Sequence, residues 1–334
     1  MNVLVSTTHG FNIGDDLIRH GCQFILESLL GRHLNWFFWN RNPDLDSKSA
    51  FASNAVSAER LAASKGWDLV VIAGTPEWSG TRIRLLMEYL DVSATNIPVL
   101  FIGIGSAWAG QKADKITATI MRRQNSLTIV RNARLQQMLA EQNINAEYLP
   151  CPAFFCADYF GLTATPVSGQ NLLTFQTCRD ALYQSVPEAR LNNALEAASR
   201  HNWQLVAHYA AEGMEAMQRN LPVRYAATAY DLVRIYATGR ALVSTRLHGA
   251  VAGLSCGVPS IALGPDDFRI SDAAAAYGDV LPVMNTLAAV DFASSFSNEE
   301  IRQRAKAILR FKADTRERYQ TVLQPWLEKV MPAP

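Results

Sequence analysis

Short apolar runs alternate along the whole chain with longer stretches whose apolar positions recur at helical spacing, the pattern of a parallel α/β sheet. In the first half the strand-like runs are residues 3–7, 34–39, 69–73, 99–104, 127–130 and 146–149. Helices fit between them at 15–30, 58–65, 82–90, 113–124 and 133–142, the last with Leu135, Met138 and Leu139 on one face. In the second half strands are expected at 172–175, 204–208, 223–225, 241–244 and 260–263, and helices at 188–200, 230–238 and 247–256. Residues 298–330 are charged and strongly helical, with Ile301, Ala305, Ile308, Leu309 and Phe311 forming an apolar stripe.

A break in composition separates the halves: Pro150-Cys151-Pro152, then a stretch of Pro, Thr and Gly over 162–169. The expected organisation is an N-terminal domain over 1–160, a C-terminal domain over 170–297, and a helix over 298–330 packing across both. The fold class is α/β, with two doubly wound Rossmann-like domains facing a cleft. Ligands of such sheets bind beyond the carboxyl ends of the strands, so the residues just after each strand carry the functional information.

Composition narrows the function classes. Of 334 residues, 49% are hydrophobic and 18% charged, and the net charge is +1, which excludes a general nucleic-acid or membrane-surface binder. The five cysteines are odd in number and contain no CxxC, so no zinc or redox motif is present and a reducing compartment is expected. The opening MNVLVSTTHG lacks the basic region and long apolar core of a signal peptide, and no apolar run reaches the ~18–20 residues needed to span a bilayer. The expectation is a soluble, cytoplasmic protein.

After the first strand, Thr8-His9-Gly10-Phe11-Asn12-Ile13-Gly14-Asp15 makes a tight turn into a helix. No GxGxxG is present, and the second strand ends in Trp39-Asn40-Arg41 rather than in an acid for a ribose, so this is not a dinucleotide fingerprint. Asn12, Gly14 and Asp15 either face a ligand or cap the helix. The third strand leads to Gly74-Thr75-Pro76-Glu77-Trp78, where an indole face and a carboxylate suit a sugar, or the Trp serves packing. Arg131 ends the fifth strand and points to an anion, or pairs with Glu77 or Asp158. His9 and His208 are each open to a functional or a structural reading.

The segment 241–263, ALVSTRLHGAVAGLSCGVPSIAL, is the most informative. It places Arg246 and His248 two residues apart at a strand-to-helix turn within an otherwise apolar stretch. Arg246 offers a fork of donors for a carboxylate or phosphate, reinforced by the helix N-terminus. His248 beside them should be held neutral until an anion arrives and then take up a proton, as a general acid would. Gly249 and Ala250 permit close ligand approach.

Ser244-Thr245-Arg246-Leu247-His248-Gly249, followed by Gly257-Val258-Pro259, resembles the C-terminal signature of the polysaccharide pyruvyl transferases. Asn12-Ile13-Gly14-Asp15, Ile102-Gly103-Ile104-Gly105 and Ile129-Val130-Arg131-Asn132-Ala133 are similar to further elements of that family in the same order, so the resemblance spans roughly residues 3–263. It implies a two-domain fold like glycosyltransferase type B and transfer of the enolpyruvyl group of phosphoenolpyruvate onto a sugar as a pyruvate ketal. By position, His248 matches the catalytic histidine. Arg246 and Arg131, with Leu247 and Gly249, match the donor site. Asn12, Gly14, Asp15, His9, Glu77, Trp78 and His208 are the candidates for the acceptor side and cleft, with Glu77 or His9 as base for the acceptor hydroxyl. No cofactor and no metal are expected, phosphoenolpyruvate being a co-substrate and the partner a saccharide or lipid-linked saccharide. Neither nucleic acid nor a transmembrane segment is expected, and homo-oligomerisation is left open. The sequence departs from the family at Thr75-Pro76-Glu77-Trp78, where a glycine run is usual, and at Cys151-Pro152, where an aspartate is usual. A nucleotide-sugar glycosyltransferase on the same fold and a non-catalytic glycan- or anion-binding homologue are the two alternative readings.

Overall fold

The computed structural model describes residues 1–8, 12–41, 55–57, 60–61, 66–75, 81–105, 112–164, 166–176, 188–264, 268–284 and 286–331. The chain forms two compact units, one of Met1–Pro152 with Thr315–Pro334 and one of Ala153–Asp314. Among the described residues no helix is long and apolar enough to cross a membrane.

The first unit contains β1 (Asn2–Thr7), α1 (Ile13–Leu30), β2 (Asn35–Asn40), β3 (Leu69–Ala73), α2 (Thr81–Val92), β4 (Val99–Ile104), α3 (Lys115–Met121), β5 (Ser126–Val130), α4 (Ala133–Ala140) and β6 (Glu147–Tyr148). The six strands pair in the order β2-β1-β3-β4-β5-β6, and every pairing is parallel. β3 and β4 are buried along their whole length, as parallel strands covered on both faces must be, which is why they read as unbroken apolar runs. Leu4, Val70, Ile72, Phe101 and Val130 meet Leu86, Leu90, Leu135 and Leu139 in one core. Asn12 starts α1 by accepting a hydrogen bond from Gly14 N at 3.0 Å, and Gly31, at φ 62°, ends it in the left-handed region.

The second unit contains α5 (Cys156–Tyr159), β7 (Gln170–Thr174), α6 (Glu188–Arg200), β8 (Gln204–Ala207), α7 (Ala210–Gln218), β9 (Val223–Tyr225), α8 (Ala229–Ala237), β10 (Gly239–Ser244), α9 (Leu247–Ser255), β11 (Ser260–Leu263), α10 (Phe268–Ala274), β12 (Val283–Met284), α11 (Thr286–Ser294) and the start of α12 (Asn298–Val330). Its sheet runs β12-β11-β10-β7-β8-β9, again parallel throughout. Counted from β7 and read from the other edge, this is the order 3-2-1-4-5-6 of dinucleotide-binding folds. Leu173, Phe175, Val243 and Ile261 pack against Leu195, Ala198, Val290 and Phe296.

The division between the units falls at Pro152, ahead of residues 153–160, which the composition break assigns to the first domain. Packing explains the difference. Phe154, Phe155, Cys156 and Ala157 are fully buried, Ala157 N donates to Ser255 Oγ at 2.9 Å, and the Phe154 ring lies 5.4 Å from that of Tyr277. Within the same unit Lys312 pairs with Asp158 and donates to Ser255 O at 2.7 Å. The last helix is one continuous element whose residues from Thr315 onward belong to the first unit, where Tyr319 Oη donates to Pro150 O at 2.7 Å. The elements α5, α7, α10, α11 and β12 go beyond the sequence pattern. The helix expected at 58–65 is described only at residues 60–61, which are helical.

Candidate functional site

In doubly wound sheets the ligand crevice opens where the strand order reverses, at the carboxyl ends. In the second unit that point lies between β7 and β10, whose last residues, Thr174 and Ser244, are in register. Thr174 Oγ1 donates to Ser244 Oγ at 2.5 Å, and Ser244 Oγ in turn accepts from Arg246 N at 3.0 Å and donates to Arg246 O at 2.7 Å. The hydroxyls thus fix the backbone of Arg246 at the N-cap position of α9, in extended conformation. Leu247 and His248 follow in the first turn, both half-buried, and Gly249 is buried.

Gly249 packs down onto these hydroxyls. A Cβ there would sit 2.6 Å from Ser244 Oγ, 2.9 Å from Thr174 Oγ1 and 3.1 Å from Tyr236 Oη. None of these atoms is a flexible chain end, so Gly249→Ala is expected to cost about 1–3 kcal/mol of stability, measured as a fall in the urea midpoint at unchanged m.

The side chain of Arg246 is held from two directions. Its Nε donates to Glu212 Oε1 at 2.8 Å, its Nη2 pairs with the same oxygen, and its guanidinium carbon lies 4.7 Å from the centroid of the Tyr209 ring. The Glu212 side chain is 0% exposed and that of Arg246 13%. The other carboxylate oxygen, Oε2, accepts from His208 N at 2.7 Å and Tyr209 N at 3.2 Å. Burial raises Glu212 above the ordinary carboxylate value, and Arg246 with the two backbone donors pulls it back down.

His208 is buried below this pair, with Nε2 2.6 Å from Tyr236 Oη. Burial, then the charges of Arg246 and His248, push its pKa well below the ordinary histidine value of 6.5, while burial pushes the Tyr236 phenol well up. A group whose folded pKa is depressed binds fewer protons folded than unfolded, so its folded state loses stability as pH falls below 6.5. The destabilisation caused by His208→Asn is therefore expected to shrink on acidification, by up to about 1.4 kcal/mol per pH unit. Urea unfolding of both proteins at pH 7.5 and 5.5 measures this.

In the first unit the order reverses between β1 and β3. Asn12 caps α1, Gly14 is buried in its first turn, and Asp15 is buried with its carboxylate accepting from Thr8 Oγ1 and pairing with Arg41 Nη2 at 3.4 Å. Arg41 also donates to Ala73 O and Thr75 O, both at 2.9 Å, and so ties the end of β3 to α1. Gly74, at φ 78°, is the residue that lets this happen: a Cβ there would lie 3.0 Å from Ile18 Cδ1 and 3.2 Å from Asp15 Oδ1. Burial raises the Asp15 pKa against the pull of Arg41, Thr8 and Arg131.

Arg131 leaves β5 and crosses directly over Gly105, where a Cβ would come within 2.6 Å of its Nε. Its Nη2 donates to Thr75 Oγ1 at 3.3 Å and its Nη1 lies 3.8 Å from Cys151 Sγ. Both departures from the family pattern, at Thr75 and at Cys151, therefore meet on one guanidinium. Asp158, an alternative partner for Arg131, is paired with Lys312. His9, Glu77 and Trp78 lie outside the described residues.

Of the residues named by sequence reasoning, the structure brings Arg246, Leu247, His248, Gly249 and His208 to one switch point and Asn12, Gly14 and Asp15 to the other, with Arg131 reaching Thr75 from the end of β5; the sequence pattern leaves others out. It misses Glu212, Tyr236 and Thr174 in the second unit and Thr8 and Arg41 in the first. One signal for Glu212 exists, an acid in the third helical position after a strand end, where its carboxylate can reach back to the turn. Among the described residues no three His, Cys, Asp or Glu side chains group as a metal site.

A family model described as polysaccharide pyruvyl transferase matches residues 12–267. A search of curated proteins returned no match. Among solved structures, the UDP-GlcNAc 2-epimerase of Neisseria meningitidis bound to UDP-GlcNAc is 11% identical, with 94% of this chain and 100% of that chain covered and a TM-score of 0.53. The UDP-GlcNAc 2-epimerase of Methanocaldococcus jannaschii is 9% identical over 91% of each chain with a TM-score of 0.54. The glycosyltransferase SnogD of Streptomyces nogalater is 14% identical over 97% of this chain and 99% of that one, with a TM-score of 0.52. At such identities the likeness is one of fold, the two-domain Rossmann-like arrangement of type B glycosyltransferases and their relatives.

Proposed function

The chain belongs to the polysaccharide pyruvyl transferase family, and from that premise we propose that it transfers the enolpyruvyl group of phosphoenolpyruvate to a saccharide or lipid-linked saccharide in the cytoplasm, closing a cyclic pyruvate ketal. The observation that carries this reading is the Arg246–His248 turn at the switch point of the second sheet: an arginine oriented by a buried carboxylate, and an imidazole on the first turn of the same helix.

The chemistry asks for these groups. Phosphoenolpyruvate brings a carboxylate and a phosphate, for which a guanidinium fork and a helix N-terminus are matched donors. Protonation of its methylene carbon leaves an oxocarbenium at the carbon that bears the phosphate. A sugar hydroxyl adds there and gives up its proton, and phosphate departs with the C–O bonding pair. A second hydroxyl of the same sugar closes the ketal and loses its proton to solvent or phosphate. The net change is phosphoenolpyruvate plus a diol to a ketal plus inorganic phosphate. His248 is the proton donor in this reading, Arg246 grips the anion, and Arg131 is the second donor-binding arginine. Asn12, Gly14 and Asp15, at the switch point of the first sheet, are the candidates for the acceptor side in this reading, together with His9, Glu77, Trp78 and His208.

The test is release of inorganic phosphate from phosphoenolpyruvate in the presence of candidate saccharide acceptors, with the product gaining the mass of a pyruvate ketal. Thermal stabilisation by a nucleotide sugar and none by phosphoenolpyruvate would overturn the proposal in favour of glycosyl transfer. Binding of phosphoenolpyruvate with no turnover on any acceptor would favour a non-catalytic homologue.

A further inference from the structure

Glu212 is given no chemical step in the reading above, yet it is the fully buried partner of the residue on which that reading depends. Its Oε1 takes both Nε and Nη2 of Arg246, which is the side edge of the guanidinium, so the Nη1–Nη2 edge is the one turned away from it. Tyr209 covers a face of the same plane at 4.7 Å. The carboxylate is itself moored through Oε2 to the backbone N–H groups of His208 and Tyr209, at the turn between β8 and α7. A chain of contacts thus runs from the end of one strand, through Glu212, to the side chain that leaves the end of another.

We propose that Glu212 is a positioning residue of the donor site, holding the guanidinium of Arg246 so that its Nη1–Nη2 edge meets the ligand's carboxylate or phosphate end-on. A purely structural Glu212 would have no stake in anion affinity. A purely electrostatic one would oppose it, since a negative charge beside the site repels an anion, and neutralising it would tighten binding. Positioning makes the opposite forecast: neutralising Glu212 frees the guanidinium to reorient, and binding weakens. The inference rests on the pyruvyl-transfer reading only for the identity of the anion.

The experiment is a double-mutant cycle on the full-length protein, read by calorimetric binding of phosphoenolpyruvate, inorganic phosphate and UDP as separate arms. Melting curves verify folding. Arg246→Ala is expected to weaken binding of the preferred anion about 100-fold and Glu212→Gln about 10-fold, with the double variant no worse than about 100-fold, because Glu212 acts only through Arg246. Glu212→Asp keeps the charge but withdraws it by a methylene, and should fall between wild type and Glu212→Gln. It also keeps the question decidable where the Gln variant does not fold. In steady-state assays KM for the donor rises while KM for the acceptor stays put. Unchanged or tighter anion binding in Glu212→Gln overturns the proposal, as does a double variant whose loss is the product of the two single losses. Wild-type binding of UDP in place of phosphoenolpyruvate sinks the pyruvyl-transfer reading alone, and the cycle is then read on UDP.

Discussion

His248→Ala is expected to lower kcat for pyruvyl transfer by about 10²–10⁴-fold, the range that one well-placed acid–base group contributes, while donor affinity stays within a few fold. The asymmetry follows from where the residue stands. His248 is the second residue of α9 and is half-buried, so its removal opens no core cavity, and alanine is a better helix former than histidine. In the proposed reading the anion is gripped by Arg246 and the helix N-terminus, both of which the variant keeps. His208 cannot stand in for it. It is buried, bound to Tyr236, and held neutral chiefly by burial and then by the charge of Arg246, both of which remain in the variant. Phosphate release measured over a range of donor concentrations separates kcat from KM. A variant with wild-type kcat would move the proton transfer off this helix, and one with normal kcat and a raised KM would make His248 an anion ligand instead.

What was legible in the sequence follows a physical rule. Fully buried parallel strands such as β3 and β4 announce themselves as apolar runs, because no face of theirs can be polar. Arg246 and His248 stand out for the same reason, being charged or titratable where everything around them is apolar. The helix α7 was illegible because its N-cap is Tyr209, which cannot cap as Ser or Asp does, and because Gly213 interrupts it. With it went Glu212, the side chain that orients Arg246. The Thr8–Asp15–Arg41 cluster is illegible on different grounds: Asp15 and Arg41 belong to separate elements, and only the parallel pairing of β1 with β2 brings them together. At the first turn the capping alternative is the one seen, since Asn12 caps the helix while Asp15, three residues on, pairs with Arg41.

Arg246→Ala tests the other half of the site, and its stability should carry a signature beyond lost donor affinity. Removing the guanidinium strands the Glu212 carboxylate at 0% exposure with only backbone donors. Breaking a buried ion pair from one side costs about 3–5 kcal/mol near neutral pH, because the remaining charge is uncompensated. That cost is expected to be pH-dependent in a definite sense. Burial already holds Glu212 above its ordinary value of 4.5 with Arg246 present, and loss of Arg246, which pulls it down, raises it further. Between 4.5 and the raised value the folded variant binds more protons than the unfolded chain, so its stability grows as pH falls and is lost as pH rises through the folded pKa. Removing Arg246 also takes away one of the charges that depress His208, which lessens the acid penalty there and acts in the same direction. The deficit relative to wild type should therefore be largest near pH 8 and narrow toward pH 5, by up to about 1.4 kcal/mol per pH unit for the one carboxyl. Adding Glu212→Gln to Arg246→Ala should restore stability at pH 8, since an amide can be buried without a counter-charge, and should do so without restoring anion binding. A deficit that stays constant from pH 8 to pH 5 would mean that Glu212 is not the group left stranded, and the account of how Arg246 is held would fail with it.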